Sequence, residues 1–574
     1  MDPQPSTSQS AAIRDEIHDT LATWESAYFA NEEVVHINQG LLYDDDELYG
    51  ILADNVEDTL ENCSQGIETQ EAHDLSFCED FSSDNETEDV TTTREWHYGN
   101  APNTNNLDFT ATAGLKVDMR EKEPIDFFFL ILCPSILNLI LTCTNRYGED
   151  LKNAASAIHS RMKEWQAIDM GTLKTFIGLV IHMGTIQYSR MSDYWKTHYL
   201  FKNDIFRKYM PRNKFLNIMR ALNVQNVAGN ASLNKIISLI DEINKNMRNI
   251  YHPTREVTID ESLMLWRGRL SYRQYMKSKA SGYGLKFYNL ADNTGTIYKT
   301  HLYAGSKDPL VSGPGHTNKV VHLLIDDLKN MGHSLYVDNF YCSIPLTREL
   351  LNSRTFCTGT LKMNRKGNPK ELLKTKIKKG ECIILHDKNN ITLAKWMDKR
   401  EVLFLSSEHN SVLEEVRNRN RNSTSLKPRA IIKYNKYMRN VDKHDQMLSY
   451  YTGEHKSVRW YKKVIIHLIE VCLVNSYQLF KSEKKLNISL YDFRANILER
   501  LLPPIHPREE IPLAICPMHF PKQITKEPNS RRAKRKQCRQ CAKQKKRVDT
   551  IFYCPNCPDQ PGLCLNCFKP YHRY

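Results

Sequence analysis

The feature that most narrows what this chain can fold into is its ending, Cys538-x2-Cys541-x12-Cys554-x2-Cys557-x6-Cys564-x2-Cys567-x4-His572. Zinc favours four soft or borderline ligands in a tetrahedron, and each CxxC turn presents two thiolates to one ion. Of fifteen cysteines, six crowd into this segment and nine are scattered, which fits a reducing compartment with a metal site better than a disulfide framework. Seven ligands imply two structural Zn2+ ions in a cross-braced arrangement, with an eighth ligand upstream for which His519 and Cys516 are the candidates. The spacing alone also fits a RING that recruits ubiquitin-conjugating enzymes, or a PHD-type histone reader. The adjoining basic run, Arg531-Arg532-Ala533-Lys534-Arg535-Lys536, argues for nucleic acid and reads as a nuclear localisation signal.

A second stretch, Glu256 to Arg269, reads as a short strand with β-branched Val257, Thr258 and Ile259 that delivers Asp260 at its end, before a basic turn. Leu335-Tyr336-Val337-Asp338 is another apolar strand ending in an aspartate, and Asp442 and Asp445 stand three apart, on one face if helical. Singly, such aspartates are turn or cap residues or parts of a solvated face. Together they match the carboxylate set of an RNase H-like nucleotidyl transferase, because two-metal chemistry on phosphodiesters needs several hard oxygen ligands. Lys286 to Ala291 and Thr296 to Tyr303 flank an Asp292-Asn293-Thr294-Gly295 hairpin signal, and His316 to Leu328 reads as a helix before the Asp338 strand.

The ordered set Thr258-Ile259-Asp260-Glu261, Arg267-Gly268-Arg269, Tyr283-Gly284-Leu285-Lys286, Val337-Asp338-Asn339, Tyr434-Asn435 and Val441-Asp442-x-x-Asp445-Gln446-Met447 resembles the piggyBac family of DNA transposases from about Phe127 onward. The resemblance implies Asp260, Asp338 and Asp442, helped by Asp445, as catalytic ligands of two Mg2+ ions (or Mn2+). It implies excision through hairpinned ends, integration at TTAA, a homodimer on double-stranded DNA, and a C-terminal zinc domain that binds transposon ends. Arg267, Arg269 and Lys286 are expected to hold the DNA backbone. Arg459, Trp460, Lys462 and Lys463 interleave aromatic and basic residues, which suits phosphate contact and base stacking, and suits equally a core tryptophan with a basic edge. A domesticated descendant that binds DNA or chromatin without cutting it competes with this reading. Loss of a metal aspartate would mark it, and all four are present.

At 574 residues the chain is long enough for several cores, and its net charge of +12 is divided unevenly, with acidic runs early and basic runs late. That favours a polyanionic partner in the nucleus over a small-molecule substrate. The opening residues lack the pattern of a secretory leader. The apolar run from Phe127 to Cys143 is broken by Pro134 and is too short for a membrane span. An α/β multidomain chain is expected: residues 1–115 acidic and largely disordered; 116–254 and 452–500 two parts of a helical DNA-binding and dimerisation domain; 255–364 and 428–451 two parts of an RNase H-like catalytic domain; 365–427 a β-rich insertion; 501–535 a linker with a basic run; and 536–574 the cysteine-rich zinc domain.

Overall fold

The computed structural model describes residues 96–572 apart from 103, 158, 230, 278, 280, 418–423, 456, 458, 505–518 and 527–532. The expectations for residues 1–95, for Cys516 and for Arg531 and Arg532 lie outside the described residues. The chain forms two compact units that divide after Leu498.

The first unit is built on a mixed ten-stranded sheet. Its middle is β1 (Glu256–Leu265), β2 (Tyr283–Asp292), β3 (Ile297–Leu302), β4 (Ser334–Val337) and β5 (Phe356–Leu361), in the spatial order 3-2-1-4-5. β2 is antiparallel to β1 and forms the expected hairpin with β3, while β4 and β5 run parallel to β1. Parallel neighbours need crossovers, and helices supply them: α6 (His316–Ile325) before β4 and α7 (Ile344–Asn352) between β4 and β5. Val257 and Ile259 on one face of β1, and Thr258 and Ser262 on the other, are buried, as a strand covered on both faces requires.

The strands expected as an insertion continue this same sheet. β6 (Cys382–His386), β7 (Thr392–Met397) and β8 (Glu401–Ser406) form a meander, and β8 pairs with β5. An otherwise open edge of β5 is thereby covered, which is one of the roles a strand-rich insertion can serve. The outer edge of β6 carries His97–Tyr98, and the Asn105 amide donates to the carbonyls of Asn389 and Ser407. His97, Tyr98 and Asn105 are therefore docked, contrary to the disorder expected over much of the stretch through residue 115. Their order comes from backbone pairing and asparagine side chains, which leave no apolar periodicity to read.

Helices precede and follow the sheet. The apolar run at Phe127 is two helices, α1 (Pro124–Ile131) and α2 (Pro134–Asn153), bent by 63° where Pro134 opens the second. Proline is tolerated there because the first amides of a helix lack intrahelical partners. α3 (Met170–Thr185), α4 (Arg212–Ala221) and α5 (Ile237–Ile250) complete this part. Near the sheet follow α8 (Arg429–Tyr437), α9 (Asn440–Tyr450) and the long α10 (Trp460–Lys484). α1 packs on α10, with the Phe127 and Phe480 rings edge to face at 5.2 Å. Burying Phe127 completely contributes roughly 2–3 kcal/mol and ties the early helices to the late one. α10 is long and apolar enough to cross a membrane, yet 89% of that stretch is buried inside the protein. It serves as the central core helix.

The second unit has two short helices, Arg539–Lys543 and Leu565–His572, and two-residue strand pairs such as Lys536–Gln537 with Asp549–Thr550. Its core is Cys538, Cys541, Cys554, Leu563 and Phe568. Two large apolar side chains cannot hold a fold of this size, so the cysteines must do so through metal.

Candidate functional site

β1 and β4 are in parallel register through Thr258↔Tyr336 and Ile259↔Val337, so the next pair is Asp260 and Asp338. β4 ends at Val337, opposite Ile259, but β1 runs six residues further, paired throughout with β2. Asp260 is thus in mid-strand, not at a strand end as the sequence suggested. What ends there is its parallel neighbour, and the gap that opens beyond β4 exposes the carboxylates. Asp338 starts a turn, its carboxylate accepting from the Phe340 amide at 2.9 Å.

α9 brings the other two carboxylates. It packs on β1 and β2, with Val441 buried against Ala291, Ile297 and Val471, and the Thr258 hydroxyl donates to the Tyr437 carbonyl just before it at 2.9 Å. Ser262, two residues from Asp260 and so on the same face, donates to Asp445 Oδ1 at 2.6 Å. Asp442 is one helical turn earlier and is exposed. The four predicted aspartates therefore lie where β1, β4 and α9 meet.

Their electrostatics reflect crowding. Burial, then the Glu261 carboxylate, holds Asp260 far above the carboxylate range at about 9. The same two causes lift Asp338 to about 6, and burial raises Asp445. Burial disfavours the charged form of these carboxylates, and a neighbouring negative charge adds to it. Sequence reading missed three contributors. Glu261 pairs with Lys286 at 3.3 Å, Ser262 orients Asp445, and Lys279 touches Asp442 and Asp445. Lys279 lies in a polar turn, and only tertiary closure brings it to the carboxylates.

The expected DNA contacts divide. Arg267 and Arg269 are exposed just past β1 and free to meet a polyanion. Lys286 is not: its side chain is 12% exposed, paired with Glu261 and covered by the Tyr288 and Phe340 rings. Arg459, Trp460 and Lys462 are buried. Arg459 donates to the Tyr147 hydroxyl, Lys462 donates to the Arg220 carbonyl, and Trp460 stands edge to face with Tyr272. Lys463 bonds the Leu265 carbonyl and pairs with Glu454 at 3.3 Å. The interleaved aromatic and basic residues are core, because α10 is buried nearly all round.

In the second unit the candidate ligands separate into two groups, Cys538, Cys541, Cys564 and Cys567, and His519, Cys554, Cys557 and His572. The first and third CxxC turns thus share one site while the middle turn joins two histidines, a crossed pairing. Four sulfurs each about 2.3 Å from one tetrahedral ion stand about 3.8 Å apart. The observed separations are 3.7 Å for Cys538 and Cys564, 3.9 Å for Cys541 and Cys564, and 3.5 Å for Cys541 and Cys567. In the other group His519 Nδ1 is 3.0 Å from Cys554 Sγ, and His572 Nε2 is 3.3 Å from Cys557 Sγ. His572 Nδ1 bonds the Phe568 carbonyl at 2.8 Å, which leaves Nε2 as the ligand atom. His519 is the eighth donor that the spacing left open.

A sheet carrying several acidic residues, followed by a cysteine module, is the architecture to which the comparisons with known proteins apply. A family model described as Transposase IS4 matches residues 123–477, and one described as a DDE_Tnp_1-like zinc finger matches residues 522–573. The human PiggyBac transposable element-derived protein 3 is 22% identical over 399 residues, which span 66% of this chain and 64% of that protein. The human derived protein 2 is 25% identical over 63% of this chain and 62% of its own length. The matched region therefore covers somewhat less than two thirds of either relative. The cryo-EM structure of a piggyBac transposase synaptic complex with hairpin DNA superposes with a TM-score of 0.60 at 21% identity, covering 80% of this chain and all of that one. The chain belongs to the piggyBac-type transposases.

Proposed function

We propose that this protein is a cut-and-paste DNA transposase with an RNase H-like catalytic core, whose Asp260, Asp338 and Asp442, assisted by Asp445, hold Mg2+. The observation that carries the reading is the adjacency of Asp260 and Asp338 on parallel strands, faced by the two aspartates of α9. The 3-2-1-4-5 strand order, with strands 1, 4 and 5 parallel, supports the RNase H-like assignment. When bound, the divalent ions neutralise charge on the scissile phosphate and activate the attacking hydroxyl.

This chain's own residues do the rest. β1 and β4 fix two carboxylates on a rigid sheet, and Ser262 keeps Asp445 turned toward them. Arg267 and Arg269 contact backbone phosphates beside the site, and the zinc module grips the element end. Excision through hairpinned ends, integration at TTAA, a nuclear location and action as a homodimer follow from the family reading.

Labelled TTAA-flanked element ends incubated with purified protein and Mg2+ test this proposal. Nicking and hairpin formation are expected with the wild type and not with Asp338→Ala, while both proteins retain the DNA in a mobility-shift assay. Binding of the correct ends without cleavage by the wild type would replace the proposal with that of a DNA-binding protein that does not cut.

A further inference from the structure

The carboxylate cluster already has a cation of its own. Lys279 Nζ is 2.9 Å from Asp442 Oδ1 and 3.8 Å from Asp445 Oδ2. The turn that presents it is closed on both sides, with the Lys279 amide bonding the Met276 carbonyl and the Gly282 amide bonding the Lys279 carbonyl. The side chain is 21% exposed, so its ammonium is partly withdrawn from water. Other lysines nearby have other partners: Lys286 is held by Glu261, and Lys463 by Glu454.

An ammonium and a divalent ion compete for these oxygens. A magnesium ion takes carboxylate oxygens at about 2.1 Å, and two cations that close repel strongly in a partly desolvated site. Resting on the metal-site reading above, we propose that Lys279 is a resident counterion. Its ammonium neutralises Asp442 and Asp445 and competes with a divalent ion for their oxygens, so it raises the metal concentration needed to load the site. The lysine keeps the acidic cluster folded without metal and sets a threshold for loading.

The test uses the full-length, zinc-loaded, DNA-free protein, titrated with Mn2+ and followed by electron paramagnetic resonance, in which Zn2+ is silent. Wild type, Lys279→Ala, Lys279→Gln and Asp338→Ala are compared, and melting in EDTA is recorded in parallel. Lys279→Ala and Lys279→Gln are expected to bind Mn2+ about tenfold more tightly than wild type, the effect of removing one competing charge. They should also melt earlier in EDTA and regain more of the loss when Mn2+ is added. Asp338→Ala should lose the Mn2+ site. Unchanged or weaker Mn2+ binding in both lysine variants, with the site lost in Asp338→Ala, would overturn the counterion role alone. Wild-type Mn2+ binding by Asp338→Ala would overturn the metal-site reading, and this inference with it.

Discussion

Glu261 and Lys286 illustrate how one residue's position on a strand decides its chemistry. Asp260 and Glu261 are neighbours in sequence, yet Glu261 alone joins a buried ion pair with Lys286, while its carboxylate still raises the pKa of Asp260. Breaking a buried pair leaves an uncompensated charge, so Lys286→Ala should cost about 3–5 kcal/mol in urea unfolding. Glu261→Gln combined with Lys286→Met should recover most of that loss. An equal loss in single and double variants would show that packing, not charge, dominates there. Two histidines set a pH limit. Burial above all holds both His333 and His409 down at about 4, below the ordinary value of 6.5. The folded protein thus binds fewer protons than the unfolded chain as pH falls below 6.5. The stability these residues contribute is full above that value and is lost progressively down to about pH 4. Thermal melts between pH 7 and 4 should decline through this window, and less steeply in His333→Gln.

Among the elements, β1 and α10 show what could be read from sequence and what could not. The β2–β3 hairpin, α6 and β4 were legible because turn residues and alternation are local signals. The full length of β1 was not, because its last residues are held by β2, a non-local partner. Gly284 records that pairing: a Cβ there would meet the Met264 carbonyl oxygen at 2.2 Å. Gly284→Ala should therefore destabilise by about 1–3 kcal/mol, measured by denaturant midpoint, because backbone cannot yield as a side chain can. The stretch Arg459 to Lys463 looked like a nucleic-acid surface because aromatic and basic residues alternate there. The residues that follow, Val464-Ile465-Ile466 and Val471-Cys472-Leu473-Val474, are apolar on every side of the helix. That marks a buried helix more strongly than the basic residues mark an interface. Arg267 and Arg269 are exposed because they lie beyond the paired strand.

On the scale of the whole molecule, two units are held together by different physics. The first has a large apolar core, and the second has cysteines and histidines where a core should be. A strong chelator should therefore unfold residues 519–572 and leave the main thermal transition of the first unit in place, as followed by calorimetry with zinc release. His519→Ala should reduce bound zinc from two equivalents toward one. The cysteine spacing announced this module and a cross-braced arrangement, and which residues share each group, with His519 among them, needed the folded chain. On the proposed function Asp338 binds the metal that cuts DNA, and exchanging that side chain for a thiol probes the role at the ligand itself. Single-turnover cleavage of element ends by Asp338→Cys should be abolished in Mg2+ and restored in part by Mn2+ or Cd2+, because a thiolate favours softer ions. Cleavage by Asp338→Cys in Mg2+ at the wild-type rate would contradict the account.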